Sequence, residues 1–283
     1  MFNDLKSDCN NCFGLCCVAL PYGKSSDFPF TKDGGIPCRN LCSNNLCAIH
    51  NQLREKGFRG CVSYECFGAG QQVSQSIYKG KDWRKDEERA KEMFAVFPLV
   101  QQLHEMLWYL KQALTLKETQ SIQSNLQKLY QETVELSAKK PKGILGIDIA
   151  AHRSKVNALL TETSKMYRND INNKGEEGRA KKGVDFLGAD LSGLDLKGED
   201  FRGKLMIASN LRNSDLRKVN FIGADLRDAD LSGADLTDAL FLTQSQINSA
   251  IGDIHTKIPS FLERPSHWSN KAYLSSSTSR GKR

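Results

Sequence analysis

Large apolar residues occur at every fifth position over a long stretch in the last third of the chain. The twelve positions keep one register without a slip: Phe186, Leu191, Leu196, Phe201, Met206, Leu211, Leu216, Phe221, Leu226, Leu231, Leu236 and Phe241. An α-helix repeats about every 3.6 residues and a strand about every two, so neither element produces a period of five. A fixed period of this kind indicates tandem repeats, in which each unit packs on its neighbours.

The positions before each repeat centre also follow a pattern. The preceding residue is mostly Asp or Asn, and the residue before that is usually small or apolar. This A(D/N)LXX pattern over residues 184–243 resembles the pentapeptide-repeat family. The resemblance implies a short right-handed quadrilateral β-helix, with one pentapeptide on each face and four faces in each coil. Residues 20 apart would then share a face, which predicts an aromatic ladder of Phe201, Phe221 and Phe241.

The ends of so short a solenoid need protection from solvent. Thr243 and Gln246 fit a capping box before a short helix from Gln246 to Ala250, which predicts a C-terminal cap over residues 244–269. One irregularity interrupts the repeats. Charged residues occupy two positions whose side chains should point inward, and an apolar residue occupies a position whose side chain should point outward. These residues are Glu199, Lys204 and Leu205. The irregularity indicates either a distorted corner or a site on that face.

Residues 81–168 show helical spacing instead. Three apolar stripes recur at steps of mainly three, four or seven residues, as one face of an α-helix requires. The first stripe is Val96, Val100, Leu103, Leu107, Leu110 and Leu114; the second is Ile122, Leu126, Leu129 and Leu136, with polar Thr133 in its gap; the third is Ile149, Val156, Leu159 and Met166. Three helices with facing stripes predict a helical hairpin or bundle.

Single residues refine this helical prediction. Asp148 fits the N-cap of the third helix. Pro98 either kinks the first helix or lies near its start. His104 and His152 lie among apolar positions, and we expect both to be core or edge histidines with satisfied hydrogen bonds rather than ligands. The aromatic residues of the first helix are expected in the core, namely Phe94, Phe97, Trp108 and Tyr109.

Two polar segments complete the predicted organisation. Residues 169–183 are rich in Asn, Gly and charged residues and predict a linker. The Ser-rich, basic segment 270–283 predicts a disordered tail. The expected fold is therefore a multi-domain α+β chain, with a Cys-rich metal-binding region at 1–80, the helical bundle and then the β-helix.

All nine cysteines fall within 58 residues, and the rest of the chain has none. A disulfide framework is disfavoured by the odd count and by the reducing compartment that we expect. Clustered thiols with Cys-x2-Cys spacing favour metal ligation, because two thiolates on one turn can bind the same ion. Zinc and iron–sulfur clusters both take four protein ligands. This many thiols fits two sites, or one cluster with additional redox-active thiols. Cys9, Cys12, Cys47 and His50 would complete one zinc site.

A second resemblance covers this Cys-rich region. The run Cys9-x2-Cys12-x3-Cys16-Cys17, with later cysteines, resembles the zinc- or iron-chelating CxxCxxCC domain. The resemblance implies as metal ligands Cys9, Cys12, Cys16, Cys17, Cys38, Cys47, Cys61 and Cys66, with His50 as a secondary candidate. Cys42 has no place in the pattern and is a secondary candidate only because it is a cysteine of this region. This chain has three residues, not two, before the Cys16–Cys17 pair, which changes the ligand geometry. The joined architecture resembles bacterial pentapeptide-repeat proteins that include one linked to resistance to the nucleoside oxetanocin A.

Charge is distributed unevenly along the chain. The net charge is +7, yet residues 184–243 hold eleven acidic and seven basic residues. This pattern favours a solvated surface with a basic tail, and it leaves contact with nucleic acid or an acidic partner open. No apolar run approaches the length of a membrane span, and the start of the chain resembles no secretory signal. We therefore expect a cytoplasmic protein with no membrane partner.

Three functions fit these observations. The favoured one is a non-catalytic module, in which a metal or cluster is structural or redox-sensing and a β-helix face docks a protein partner. It is favoured because the chain lacks a Gly-rich phosphate loop, HExxH and GxSxG. The alternatives are an iron–sulfur enzyme that modifies a nucleoside or protein, and a DNA mimic that protects a topoisomerase. Pairing of flat β-helix ends would also allow a homodimer.

Overall fold

The structure is a computed structural model that describes residues 2–172 and 185–269. The chain divides into two compact units, Met1–Thr163 and Ser164–Arg283. The predicted tail at 270–283 and most of the predicted linker lie outside the described residues. No helix in the described part of the chain combines the length and apolarity that a membrane span needs.

The first unit begins with short elements joined by loops. Its early α-helices are α1 (Leu15–Ala19), α2 (Arg59–Val62) and α3 (Ala69–Gln71), the last of which continues as a π-helix (Gln72–Ile77). Short 3-10 helices lie at Asn3–Leu5, Cys9–Asn11, His50–Gln52 and Trp83–Lys85. Isolated antiparallel bridges join Tyr22 to Lys32 and Leu41 to Cys47. The Cys-rich region thus has little regular structure, so its conformation depends on what it packs against.

The long helix α4 (Glu87–Thr115) supplies that packing surface. Asp86 caps its first turn by accepting a hydrogen bond from the backbone N–H of Arg89 at 3.1 Å. Pro98 lies inside the helix, so the alternative that places it near the helix start is wrong. The apolar stripe is confirmed, since five of its six residues are buried and Leu114 is half-buried.

Three further helices complete the bundle: α5 (Gln123–Ser137), which follows a 3-10 helix (Lys117–Ile122), α6 (Pro141–Leu145) and α7 (Ile149–Asn172). The buried Thr133 hydroxyl donates to the Leu129 carbonyl at 2.7 Å and lies 2.9 Å from Nε2 of His152. The predicted cap of α7 is confirmed, because Asp148 accepts the Ala151 N–H at 2.9 Å. The buried Thr133 and His152 are therefore hydrogen-bonded to each other, as burial of polar groups favours.

Two sequence predictions for these helices need correction. The buried face of α7 includes Leu160, which the predicted third stripe omitted, whereas Ile149 and Leu159 are only half-buried. The predicted stripe thus ran along the edge of the buried face. Residues 169–172, which the sequence assigned to a linker, continue α7.

The Cys-rich region and the bundle share one core. Leu15 and Val18 of α1 pack with Ala69 and Val73 and with residues of α4, including Met93, Val96, Phe97 and Val100. All of them are almost fully buried. The boundary predicted at residue 80 therefore does not separate two cores. The cysteine-bearing segments pack against α4.

The second unit contains the repeats. Parallel bridges join residues 20 apart, from Asp190–Asn210 through Asn220–Leu240, so four pentapeptides make one coil. This confirms the predicted coil length, although the described residues pair through isolated bridges rather than extended strands. Ten of the twelve repeat centres are buried, and Phe201 and Phe221 stack with ring centroids 5.9 Å apart.

The C-terminal cap continues the coil. Helix α8 (Gln244–Ser249) carries the predicted capping box between Thr243 and Gln246, and it starts two residues before the predicted position. Bridges from Asp230 to Ile251 and from Asp235 to Lys257 extend the pairing beyond the repeats. These contacts cover the last coil and satisfy its backbone groups.

The predicted irregularity leaves the coil pairing intact. Leu205 still forms its parallel bridge to Asp225, although its side chain is 40% exposed. Glu199 and Lys204 are half-buried, and the Lys204 ammonium lies 6.0 Å from the centre of the Phe186 ring. The backbone thus tolerates the charged residues in this corner.

Candidate metal centre

Helix α1 presents two adjacent cysteines to different surroundings. Its Leu15 and Val18 are fully buried in the core. Cys16 and Cys17 lie between these two apolar residues, and both thiols are half-buried. Their sulfur atoms are 3.9 Å apart. The helix start requires Gly14, which adopts a φ of 68° in close contact with Leu41.

Cys9, Cys12 and Cys66 come from separate segments and lie near one another. Burial, followed by the nearby thiols of Cys12 and Cys66, raises the pKa of Cys9 to about 11. Burial also raises the pKa of Cys12, with a contribution from Cys66. Gly70 permits this approach, because a Cβ atom there would lie 2.6 Å from the Cys12 sulfur and 3.9 Å from the Cys66 sulfur. We define Cys9, Cys12, Cys66 and the adjoining Cys16 as the first thiol group.

We define Cys17, Cys38, Cys47 and Cys61 as the second thiol group, which adjoins the first through the contact between Cys16 and Cys17. The backbone N–H of Cys38 donates to the Cys17 carbonyl at 2.9 Å, which holds these two segments together. A hydrogen bond with Cys17, followed by burial, raises the pKa of Cys47 well above its usual range. Burial, followed by Cys38 and Cys47, raises the pKa of Cys61 to about 11. Four distant segments thus meet at this group.

Hydroxyl groups surround the thiols. The Ser7 hydroxyl lies 2.9 Å from the Cys66 sulfur in the first thiol group. The Tyr22 hydroxyl donates to the Cys38 sulfur at 3.3 Å in the second. Hydroxyl donors next to a sulfur atom stabilise its thiolate form. Sequence spacing did not identify either residue, because both contacts join segments that are far apart in the chain.

Tyr64 carries one of three buried hydroxyls that have no hydrogen bond in the described part of the chain, the others being those of Thr163 and Ser232. Its oxygen has no hydrogen bond in the described structure, although it is fully shielded from solvent. Burial, followed by the nearby thiols of Cys66 and Cys16 and then by Glu65 and Cys12, raises the pKa of Tyr64 far above its usual range. Tyr64, Cys12, Cys16 and Cys66 all pack against the same apolar core.

Lys32 is a buried cation beside the second thiol group, with only 5% of its surface exposed. Its ammonium donates to three backbone carbonyls at 2.9–3.1 Å, those of Val18, Asp33 and Ile36. Burial lowers the pKa of Lys32, while the thiols of Cys38 and Cys17 oppose that change. Sequence reasoning missed this residue, since a single buried lysine leaves no spacing signal.

The two secondary candidates lie apart from both groups. The side chains of Cys42 and His50 are exposed. Cys47 belongs to the second thiol group while Cys9 and Cys12 belong to the first, so the structure does not bring together the combination of these three thiols with His50. His104 and His152 are buried elsewhere and hydrogen-bonded, to the Phe67 carbonyl at 2.7 Å and to Thr133. The expectation that these two histidines are satisfied core residues is confirmed.

All nine cysteines are free thiols. Within residues 2–172 and 185–269, no three His, Cys, Asp or Glu side chains are arranged so that they could hold a metal ion. The thiols are therefore gathered into neighbourhoods without converging on one point. Protonated thiols carry no charge, so electrostatic repulsion does not prevent several of them from lying near one another.

Comparison with known proteins identifies the family. Residues 206–241 match the family of pentapeptide repeats in eight copies. The chain is also 54% identical over 265 residues to the uncharacterized protein YybG of Bacillus subtilis (strain 168). This alignment covers 94% of this chain and 95% of YybG. The chain belongs to the bacterial pentapeptide-repeat proteins. The alignment with YybG is long enough to include both units of this pentapeptide-repeat protein.

The faces of the pentapeptide-repeat unit offer a second candidate surface, which is rich in ion pairs. Arg217 pairs with Asp215 and Arg227 with Asp225 at 2.7 Å within single repeats. Other pairs join different parts of the coil, namely Arg212–Asp230 and Lys257–Asp235, both at 3.0 Å. Basic residues thus neutralise much of the acidic rows.

Proposed function

We propose that this pentapeptide-repeat protein binds a metal or cluster through the cysteines of its first unit, and that it acts as a non-catalytic binding or regulatory module. The observation that carries the proposal is the gathering of eight free thiols from separate segments into two neighbourhoods on one core. A bound zinc ion or iron–sulfur cluster would crosslink these segments, which contain little regular structure of their own.

Cysteine is the ligand type that such a group takes. Thiolates bind metal after losing their protons, and a metal ion lowers a thiol pKa strongly. The raised pKa of Cys9 and of Cys61 shows that burial and mutual repulsion oppose thiolates without a cation. The Tyr22 hydroxyl, which donates to the Cys38 sulfur, is the kind of surrounding hydrogen bond that orients and tunes metal-bound sulfur.

For the repeat unit, we propose that a β-helix face docks a protein partner. Repeat folds present extended surfaces that suit this role. The ion pairs on its faces disfavour the DNA-mimic alternative, because a duplex mimic needs rows of unneutralised negative charge. The iron–sulfur enzyme, the link to oxetanocin A resistance, the homodimer and the contact with nucleic acid stay predictions of the sequence.

Metal analysis of the full chain tests the proposal. The protein is purified without oxygen, and zinc, iron, acid-labile sulfide and reactive thiols are measured per chain. We expect stoichiometric zinc, or iron with sulfide and a brown colour, together with few reactive thiols. Protein that carries only trace metal and nine reactive thiols, and that takes up neither zinc nor iron with sulfide on reconstitution, would overturn the proposal.

A further inference from the structure

We infer that one face of the β-helix is an interface for a second copy of this chain, and that Leu187, Leu205 and Ile207 form the apolar centre of that interface. These three residues are called the apolar patch. The inference rests on the proposed docking role of the β-helix, since it names the face and the partner. Two copies would pair side by side, which differs from the end-to-end pairing that the repeat pattern allows.

The apolar patch lies on one face of the first two coils. Met206 is fully buried between Leu205 and Ile207, so its two neighbours point away from the core. The backbone N–H of Gly188 donates to the Ile207 carbonyl at 2.9 Å, which places Leu187 next to Ile207 in the preceding coil. Leu187 is 58% exposed, Leu205 is 40% exposed and Ile207 is half-buried. Three large apolar side chains thus meet solvent on one surface.

Apolar residues also occupy outward positions on another face, and there the chain itself covers them. Ile222 is 8% exposed, Leu240 is 3% exposed and Leu242 is fully buried. On that face the Asn220 amide donates to the Ser164 hydroxyl of α7 at 3.1 Å. The apolar patch has the same kind of composition but stays exposed, which is typical of a surface that another molecule covers.

Leu205 also removes a hydrogen bond that supports the coil. One coil further on, Asp225 occupies the same position, and its carboxylate accepts the N–H of Arg227 at 3.1 Å. A leucine cannot accept the corresponding N–H of Ile207, which has no acceptor within residues 2–172 and 185–269. Leu205 therefore does not serve the backbone of the coil, and this favours a role in contact with another molecule.

The distribution of charge favours a second copy as the occupant. A closed two-fold dimer brings the same surface of both copies together, so that surface must tolerate its own charges. In the outward rows of the apolar patch, Asp185 is the single charged residue of the first two coils. Another face carries the ion pairs Arg217–Asp215 and Lys257–Asp235, which would lose water in an interface without gaining a partner. The apolar patch is therefore better suited to self-association.

The small size of the apolar patch predicts a weak dimer. A stable interface buries about 800 Å² on each partner, which is more than three side chains supply. We therefore expect association at micromolar rather than nanomolar concentrations. Each copy also carries a net charge of +7, which opposes association at low salt. Salt screens that repulsion, so the dimer should tighten as salt is added.

Sedimentation velocity of the full-length chain over a wide concentration range tests the interface. Reducing, oxygen-free conditions prevent the cysteines from crosslinking two copies. We expect a monomer–dimer equilibrium in the wild type. Leu205→Asp and Leu187→Asp should each raise the dissociation constant about tenfold or more, because each removes an apolar side chain from both copies and adds a charge to the interface.

Leu205→Asp separates loss of the interface from loss of the fold. An aspartate at this position can accept the N–H of Ile207, as Asp225 does from Arg227. The variant should therefore unfold at the same temperature as the wild type or higher, measured at concentrations where both are monomers. Ile254→Asp is the matched control, because Ile254 is 66% exposed in the C-terminal cap. This control should leave the dissociation constant unchanged.

Three outcomes would overturn the inference: a chain that stays monomeric at every concentration, a dimer that Leu205→Asp and Leu187→Asp leave intact, or a dimer that weakens as salt is added. Zinc and iron are measured in the same samples. A monomer that carries metal would remove the interface and leave the proposed metal binding in place. A dimer without metal, even after reconstitution, would do the reverse.

Discussion

The Asp or Asn before each repeat centre has a structural role in the backbone. Its side-chain oxygen accepts the N–H two residues further on, as Asp190 does from Ser192 at 3.1 Å and Asp235 does from Thr237 at 3.0 Å. Asx turns of this kind replace a backbone hydrogen bond at a corner. The acidic rows therefore follow from the geometry of the coil, so their charge alone is weak support for an acidic binding surface.

The residue after this turn takes a left-handed conformation in eleven of the twelve repeats. Six of these positions are glycine, and others hold residues with a side chain, such as Ala208 with a φ of 56° and Asp238 with a φ of 62°. Left-handed backbone costs residues other than glycine about 1 kcal/mol or more. Packing of the repeat centres must offset that cost at these corners.

Two buried histidines make the stability of the first unit depend on pH. Burial lowers the pKa of both His104 and His152. The unfolded chain then binds protons at higher pH than the folded chain does, so stability falls as pH drops below about 6.5. Urea unfolding of the wild type at pH 7.5 and 5.5 should show this loss, and the loss should be smaller in His152→Gln.

Two charged residues near His152 also influence its pKa. Glu132 lies 3.5 Å from its Nδ1 and favours the protonated ring, while Lys155 opposes it. Burial, with Lys155 acting in the same direction, outweighs Glu132, so the pKa of His152 is lowered. His255→Gln, at an exposed histidine, is the control. An equal change of the pH dependence in that control would contradict a role for burial.

At the scale of elements, the C-terminal cap depends on close packing of one aromatic ring. Trp268 is 2% exposed, and its indole N–H donates to the Ala250 carbonyl at 3.1 Å. A Cβ atom at Gly252 would lie 2.6 Å from this ring. Gly252→Ala should therefore displace the ring and lower the stability of the repeat unit by about 1–3 kcal/mol, the usual cost of overpacking.

Hydrogen exchange of the repeat amides in the full-length chain measures this effect. Gly252→Ala should speed exchange in the last coil, where Ile251 and Lys257 form bridges. Gly23→Ala is the matched control, because a Cβ atom there meets nothing within 4 Å. Unchanged protection in Gly252→Ala would mean that the cap does not stabilise the last coil.

The repeat unit could be predicted from sequence because each of its constraints recurs. Twelve centres in one register fixed the period, and the position of Phe201 relative to Phe221 followed from four repeats per coil. The thiol groups could not be predicted in the same way. Cys12 meets Cys66, and Cys17 meets Cys38, through loops without a period, and only packing on α4 brings them together. Spacing alone therefore pairs Cys9 and Cys12 with Cys47 and His50, a combination that the fold separates.

At the scale of the whole molecule, the two units differ in what stabilises them. The repeat unit has a continuous core of repeat centres, most of them fully buried. The cysteine-bearing segments of the first unit have only short helices and isolated bridges, such as Tyr22–Lys32. Bound metal stabilises only the state that binds it. Any metal bound by the thiol groups should therefore act on the first unit.

Removing that metal tests this distinction in the intact chain. Treatment with a chelator under reducing, oxygen-free conditions should speed hydrogen exchange in α1 and in the segment 22–47, while the repeats from 190 to 240 stay protected. Each unit has its own buried core, so loss of metal in one leaves the principal contacts of the other in place. Cys66→Ser combined with Cys61→Ser should exchange like the chelated wild type and respond no further to chelator. Faster exchange in the repeats, or none in α1, would contradict a role of the metal that is local to the first unit.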